Sequence, residues 1–191
     1  QDAFEIEGRL LRVDGGVRVD EISLSLGSTM LAVQGFVGDA PEHTCTELDL
    51  DLRGSDLARF SEAIGLNLPD QPFRIGGRLG QGEGAIALKD VEATVGSGRV
   101  RVDGHLTTEA GLIGTDLRFS ADGLDALHIG DLLGLDGLPS SRLRAVGEVS
   151  VTSAGYRPKN VRGSIADVDF TVDGLITRNR HLAGSSLEID A

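Results

Sequence analysis

Two pairs of carboxylates stand two residues apart, Asp49 with Asp51 and Asp167 with Asp169. On a strand that spacing puts both acids of a pair on one face. A calcium site needs roughly six to eight oxygen ligands and a tight glycine turn, and neither stretch has the nine-residue spacing of calcium-binding β-rolls. Both pairs therefore read as solvated strand faces. His43 and Cys45 offer two zinc ligands where a structural site needs about four. The remaining histidines, His105, His128 and His181, stand alone. Gly80-Gln81-Gly82-Glu83-Gly84 has the glycines of a phosphate loop, but no Lys-Ser/Thr follows and Glu83 carries the wrong charge, so it predicts a hairpin turn. No Gly-x-Ser-x-Gly elbow is present, and no Ser/His/Asp set stands out. The chemistry-bearing residues thus predict a non-enzymatic protein with no cofactor and no metal.

Composition sharpens this reading. Glycine is abundant, 27 of 191 residues, whereas aromatic residues make up 4% with no tryptophan. Any core must be built from Leu, Val, Ile and Ala, and base stacking on aromatic side chains is disfavoured. The net charge of −12 argues against nucleic acid and against electrostatic docking on an anionic membrane. Cys45 is the single cysteine, so an internal disulfide is excluded. No apolar run approaches the ~20 residues of a membrane helix. The expectation is a soluble fragment or mature piece.

The elements that must position such residues come from an internal repeat. Phe4-Glu5-Ile6-Glu7-Gly8-Arg9-Leu10 matches Phe73-Arg74-Ile75-Gly76-Gly77-Arg78-Leu79 at a spacing of 69, and Ile22, Gly27 and Gly35 fall on Val91, Gly96 and Gly104. A further spacing of 70 carries Phe73 to Leu143, Gly77 to Gly147 and Val102-Asp103-Gly104 to Val172-Asp173-Gly174. Leu48–Leu52 resembles Thr115–Phe119 at a spacing of 67. Alternation with period two runs through most segments, the signature of antiparallel strands with one wet face. Leu57, Phe60 and Ile64 predict a short helix capped by Ser55 and ended by Gly65; Leu124, Leu127, Leu132 and Leu135 predict a second, preceded by Asp122 and with Gly134 in its last turn. Glycines 8, 35, 77, 104, 147 and 174 recur late in strands, where they suit bulges. The expected fold is mainly β: a curved, repetitive, largely antiparallel sheet shaped as a groove, with one short α-helix per ~70-residue repeat. It forms one continuous domain of a partial repeat (1–45, strands only) and two fuller ones (46–112, helix near 56–65; 113–191, helix near 123–134).

The run Leu50-Asp51-Leu52-Arg53-Gly54-Ser55-Asp56-Leu57, then Ile64-Gly65-Leu66, Leu68-Pro69, Pro72–Leu79, Leu88-Lys89-Asp90-Val91, Val95-Gly96-Ser97-Gly98 and Val102-Asp103-Gly104 resembles the AsmA family of bacterial envelope proteins. Looser matches extend over residues 1 to 175. The resemblance implies a periplasmic protein held to the inner membrane by an anchor that this sequence does not contain. It also implies a role in phospholipid transport and outer-membrane biogenesis, with phospholipid or another acyl lipid and further repeats of the same chain as partners. The groove candidates are the apolar strand positions Ile75, Leu79, Val100, Val102, Leu117, Phe119, Val149 and Val151. The competing expectation is a structural β-repeat protein, an adhesin or stalk, whose helices cover the same apolar positions as a closed core.

Overall fold

The computed structural model describes residues 4–39, 46–61, 68–82, 84–108, 112–133, 138–177 and 185–190. The chain divides into two compact units, Gln1–Gly96 and Ser97–Ala191. The first holds β1 (Phe4–Val13), β2 (Gly16–Leu26), β3 (Thr29–Gly38), β4 (Thr46–Gly54), a 3₁₀ turn (Leu57–Phe60), β5 (Phe73–Gly82) and β6 (Ala85–Val95). The second holds β7 (Gly98–Thr107), β8 (Asp116–Asp125), α1 (Ala126–Leu133), β9 (Arg142–Val151), β10 (Gly155–Ile165), β11 (Val168–Thr177) and β12 (Ser186–Asp190). Within each unit the strands lie in chain order and pair antiparallel. The protein is therefore mainly β, an open meander of long strands.

Alternation and register together sort the side chains. In the first unit Ile6, Leu24, Leu31, Leu52, Ile75 and Ala93 lie opposite one another in one unbroken row across six strands. A parallel row runs Leu10, Val19, Gly35, Leu48, Leu79, Leu88. In the second unit Val100, Ala121, Ala145, Gly163 and Phe170 form one row, and Val102, Phe119 and Gly147 part of the next. The opposite face carries the charges, paired across strands. Arg78 Nε donates to Asp49 at 3.2 Å, Arg118 Nη2 to Glu148 at 3.1 Å and Arg144 Nε to Asp122 at 2.8 Å, while Arg74 pairs with Asp51.

Three bulges hold this sorting in place. The register shifts where Glu21-Ile22 face Gly8, where Asp90-Val91 face Gly77, and where Asn160-Val161 face Gly147. Glu21, Asp90 and Asn160 take φ of 48°, 50° and 49°, a left-handed conformation uncommon for residues other than glycine. A Cβ on Gly77 would lie 2.6 Å from the Val91 Cα, and one on Gly147 2.7 Å from the Val161 Cα, so the residue facing the bulge must be glycine. The expected link between recurrent glycines and bulges is thus seen at these three sites.

A hydroxyl clamp also recurs, unexpected from the sequence. Thr46 Oγ1 accepts from the Gly38 amide at 3.1 Å, Thr115 Oγ1 from Thr107 at 3.1 Å, and Ser185 Oγ from Thr177 at 2.9 Å. Each clamp closes the connection into β4, β8 or β12. Thr46 and Thr115 are buried, so each hydroxyl pairs with a backbone amide away from water.

The helical segments differ from expectation in their caps and starts. Asp56, not Ser55, caps the 3₁₀ turn, its carboxylate accepting from the Ala58 amide at 2.8 Å; Ser55 instead donates to Ser28. Ile64 and Gly65 lie outside the described residues. In the second unit Leu124 belongs to β8 rather than to the helix, Asp122 is a strand residue paired with Arg144, and Asp125 caps α1 by accepting from the Leu127 amide at 3.0 Å. Gly134 and Leu135 are outside the described residues. Leu48 lies opposite Leu79 and Leu117 opposite Val149, so β4 and β8 correspond at a spacing of 69, not 67. A slip of two residues leaves an alternating pattern unchanged, which is why the sequence comparison missed it.

Candidate functional site

The candidate positions fall on the apolar face of their own units. Ile75 and Leu79 sit in the two first-unit rows, each flanked by leucines of β4 and by Ala93 or Leu88 of β6. In the second unit the register brings together Val100, Val102, Leu117, Phe119 and Val149, with Val151 two residues further along β9. Seven of the eight are half-buried, and Val151 is buried at 7% exposure. A core position under a second layer is closed to solvent, so the half-buried state marks a sheet whose apolar face keeps access to water.

Among the described residues the turn and the helix cover one margin of each unit, and Val19, Val151 and Val161 are buried elsewhere. Phe73 is 4% exposed beneath the edge-to-face ring of Phe60, whose centroid lies 5.6 Å away. Ala126, at the start of α1, is fully buried, and Leu143 beside Leu124 is 8% exposed. The turn and the helix therefore seal the strand ends at Phe73 and Leu143. The middle rows, from Leu48 to Leu52 and from Leu117 to Phe119, remain partly open.

A depression of about 830 Å³ in the second unit is lined by Ala121, Ala145, Val146, Gly163 and Phe170 together with Asp122, Arg144, Arg162, Asp169 and Thr171. One of about 1130 Å³ in the first is lined by Glu7, Ser23, Gln34, Asp49 and Arg78. Asp49 and Asp51 thus serve as ion-pair partners of arginines. Asp167 lies in the β10–β11 turn, with Asp169 on β11. Among the described residues no group of three or more His, Cys, Asp or Glu converges as a metal site would require; His43, Cys45 and His181 lie outside them. Gly80 to Gly82 end β5 and Gly82 pairs with Ala85 at the start of β6, the hairpin pairing that the glycine-rich stretch predicts.

Beside α1, the Ser140 hydroxyl donates to Asp125 at 2.9 Å and holds its carboxyl below the ordinary value, helped by the Leu127 amide and by His128. This acid is a helix cap, at the margin of the sheet. Sequence reasoning missed the wider membership of the apolar rows, above all Ile22 and Val91. Their signal is a break in alternation at the polar pairs Asp20-Glu21 and Lys89-Asp90, where a bulge consumes the extra residue.

Comparison with family models, with curated proteins and with solved structures gives no match for this chain. Among the described residues no helix is long and apolar enough to cross a membrane.

Proposed function

We propose that this chain is a section of an AsmA-like lipid-binding and lipid-transfer scaffold, a repeated β-unit working in the periplasm without catalysis. In this reading a longer protein anchored in the inner membrane carries the section and moves phospholipid for outer-membrane biogenesis. The observation that carries it is the unbroken apolar row across six strands, exposed at Ile6 and half-buried from Leu24 to Ala93 rather than closed off. An acyl chain of ~16 carbons leaving a bilayer exposes methylenes worth ~0.8 kcal/mol each, on the order of 12 kcal/mol in total. Only a continuous aliphatic surface offsets such a cost, and Ile75, Leu79, Val100, Val102, Leu117, Phe119, Val149 and Val151 supply part of one. The low aromatic content suits this, since flexible alkyl chains pack on aliphatic walls without stacking geometry. The repeated unit is supported by the three bulges and three hydroxyl clamps at spacings of 69 and 70 residues.

Organic extraction of the purified protein followed by mass spectrometry, with titration of a fluorescent acyl probe, tests the reading. Co-purified phospholipid and saturable probe binding are expected; neither lipid nor probe binding would leave the structural β-repeat reading in its place. Val102→Asp is expected to abolish loading while the far-ultraviolet circular dichroism stays native, because a half-buried carboxylate keeps contact with water. Gross unfolding of that variant would instead make Val102 a core residue.

A further inference from the structure

We propose that the depression in the second unit is a binding site for a short aminoalkyl phosphate, its phosphate held by Arg144 and Arg162 and its ammonium by Asp169. Such a ligand needs no acyl chain, so the proposal does not rest on lipid transfer. Two rows of side chains on the charge-bearing face build the site. Ser120, Val146, Arg162 and Thr171 stand opposite one another across β8 to β11, and Asp122, Arg144, Ser164 and Asp169 do so in the next row. Both rows line the depression of about 830 Å³.

In the first unit the equivalent place is neutralised by the chain itself. There Asp51, Gly76 and Glu92 form the row across β4, β5 and β6, and both acids favour the charge of Arg74. Ser120, Val146 and Arg162 take those three places in the second unit. The row that gives Arg74 two acids therefore gives Arg144 none, and a second arginine instead. Like charges on neighbouring strands repel. Asp122 accepts from Arg144 Nε at 2.8 Å and orients its guanidinium, while Arg162 has no ion-pair partner among the described residues. The hairpin as a whole leans the same way. In a chain of net charge −12, β9 and β10 carry five cations, Arg142, Arg144, Arg157, Lys159 and Arg162, against the single acid Glu148. Strands β5 and β6 carry three cations and two acids.

The other side of the depression has the opposite sign. Asp169 lies diagonal to Arg162 across β10 and β11 and makes no ion pair among the described residues. Asp190, opposite Thr171, lines the same side. Diagonal neighbours on adjacent strands stand ~7–8 Å apart, a span that a phosphate and an amine on a short carbon chain bridge. Guanidinium groups pair well with phosphate oxygens, and Ser120, Ser164 and Thr171 bring hydroxyl donors to the same place. Beside the arginines Val146 is 52% exposed, where the first unit has Gly76; it offers an apolar contact to the carbon of the ester. A purely anionic ester would meet the carboxylates uncompensated, and an amine alone would leave the two arginines opposed.

Heteronuclear NMR of the whole chain, titrated with O-phosphoethanolamine, tests the site. Saturable shifts of the β9–β11 amides are expected, with those of Asp51, Gly76 and Glu92 unmoved. Arg162→Glu, at an exposed position, should weaken binding about tenfold while the unligated spectrum stays dispersed. Asp169→Asn should remove the preference for O-phosphoethanolamine over inorganic phosphate, about threefold in the parent protein. Dihexanoyl phosphatidylethanolamine below its micellar concentration separates the two sources of this chemistry: tighter binding than O-phosphoethanolamine assigns a lipid headgroup, weaker binding a soluble ester. No saturable shift, equal affinity of the parent protein for inorganic phosphate, equal shifts at the first unit's place, or binding indifferent to Arg162→Glu would each overturn the proposal.

Discussion

The β4–β5 pair of the first unit and the β8–β9 pair of the second share a leucine, a glycine and an arginine–carboxylate pair at matching places, with the pair inverted. Asp49 on the earlier strand accepts from Arg78 on the later; 69 and 70 residues on, Arg118 stands on the earlier strand and Glu148 on the later. The charges have traded places and the pair survives. Around it the apolar slots keep their character, Leu48 and Leu79 against Leu117 and Val149, and glycine stays at 77 and 147. The difference lies in what each slot touches. An exposed ion pair needs only opposite signs, and is worth about 0.2–1 kcal/mol whichever strand bears the acid. A glycine facing a bulge touches backbone, which cannot yield.

The comparison breaks first, and hardest, at the glycines. A Cβ on Gly35 would lie 2.2 Å from the Glu47 carbonyl oxygen and one on Gly104 2.2 Å from that of Asp116, both at φ near 140°. Gly35→Val and Gly104→Val should each cost about 3 kcal/mol or more in urea unfolding. A large loss in one unit with none in the other would end the equivalence of the two strand pairs. A smaller effect is expected at the hairpin loops, where Gly27 has φ 58° and Ala166, at the matching place, has φ 54°. Ala166→Gly should stabilise by about 1 kcal/mol and Gly27→Ala destabilise by a similar ~1 kcal/mol, read as opposite shifts of the urea midpoint.

The ion pairs come next. Asp49→Arg should cost about 0.5 kcal/mol and Arg78→Asp should recover it; Arg118→Glu and Glu148→Arg should behave alike. Double-mutant cycles in low and high salt would show it, and coupling in only one unit would mean that the swap is not compensated. Smallest is the cap of α1. Folding lowers the Asp125 pKa, so its contribution is complete above the unfolded carboxyl value of 3.8 and is lost as the pH falls through the lower folded value. The Leu127 amide resonance should therefore titrate below 3.8, and Asp125→Asn should remove that titration.

Much of the fold was legible because period-two alternation is a direct image of a pleated strand with one dry side. The apolar character of Ile75, Leu79, Val102 and Phe119 could be read in this way. Three things could not. Alternation is blind to a slip of two, which misplaced β4 against β8. It also fails across a bulge, so Ile22 and Val91 read as out of phase until the extra residues Glu21 and Asp90 are known. Finally, Thr46, Thr115 and Ser185 are polar positions that persist because each hydroxyl meets a neighbouring amide, a contact with no periodic signature.

The bulge at Glu21 imposes an arithmetic of parity on the chain. Along a flat strand, residues can be gained or lost only in twos without exchanging wet and dry sides, and β2 stores its one odd residue at Asp20-Glu21. Deleting Glu21 would not merely straighten the strand; it would turn Ile22, Leu24 and Leu26 toward water and Ser23 and Ser25 inward, or drag the next hairpin one step along its neighbour. Strand length here is quantised, and the bulge is the place where a half-step is allowed.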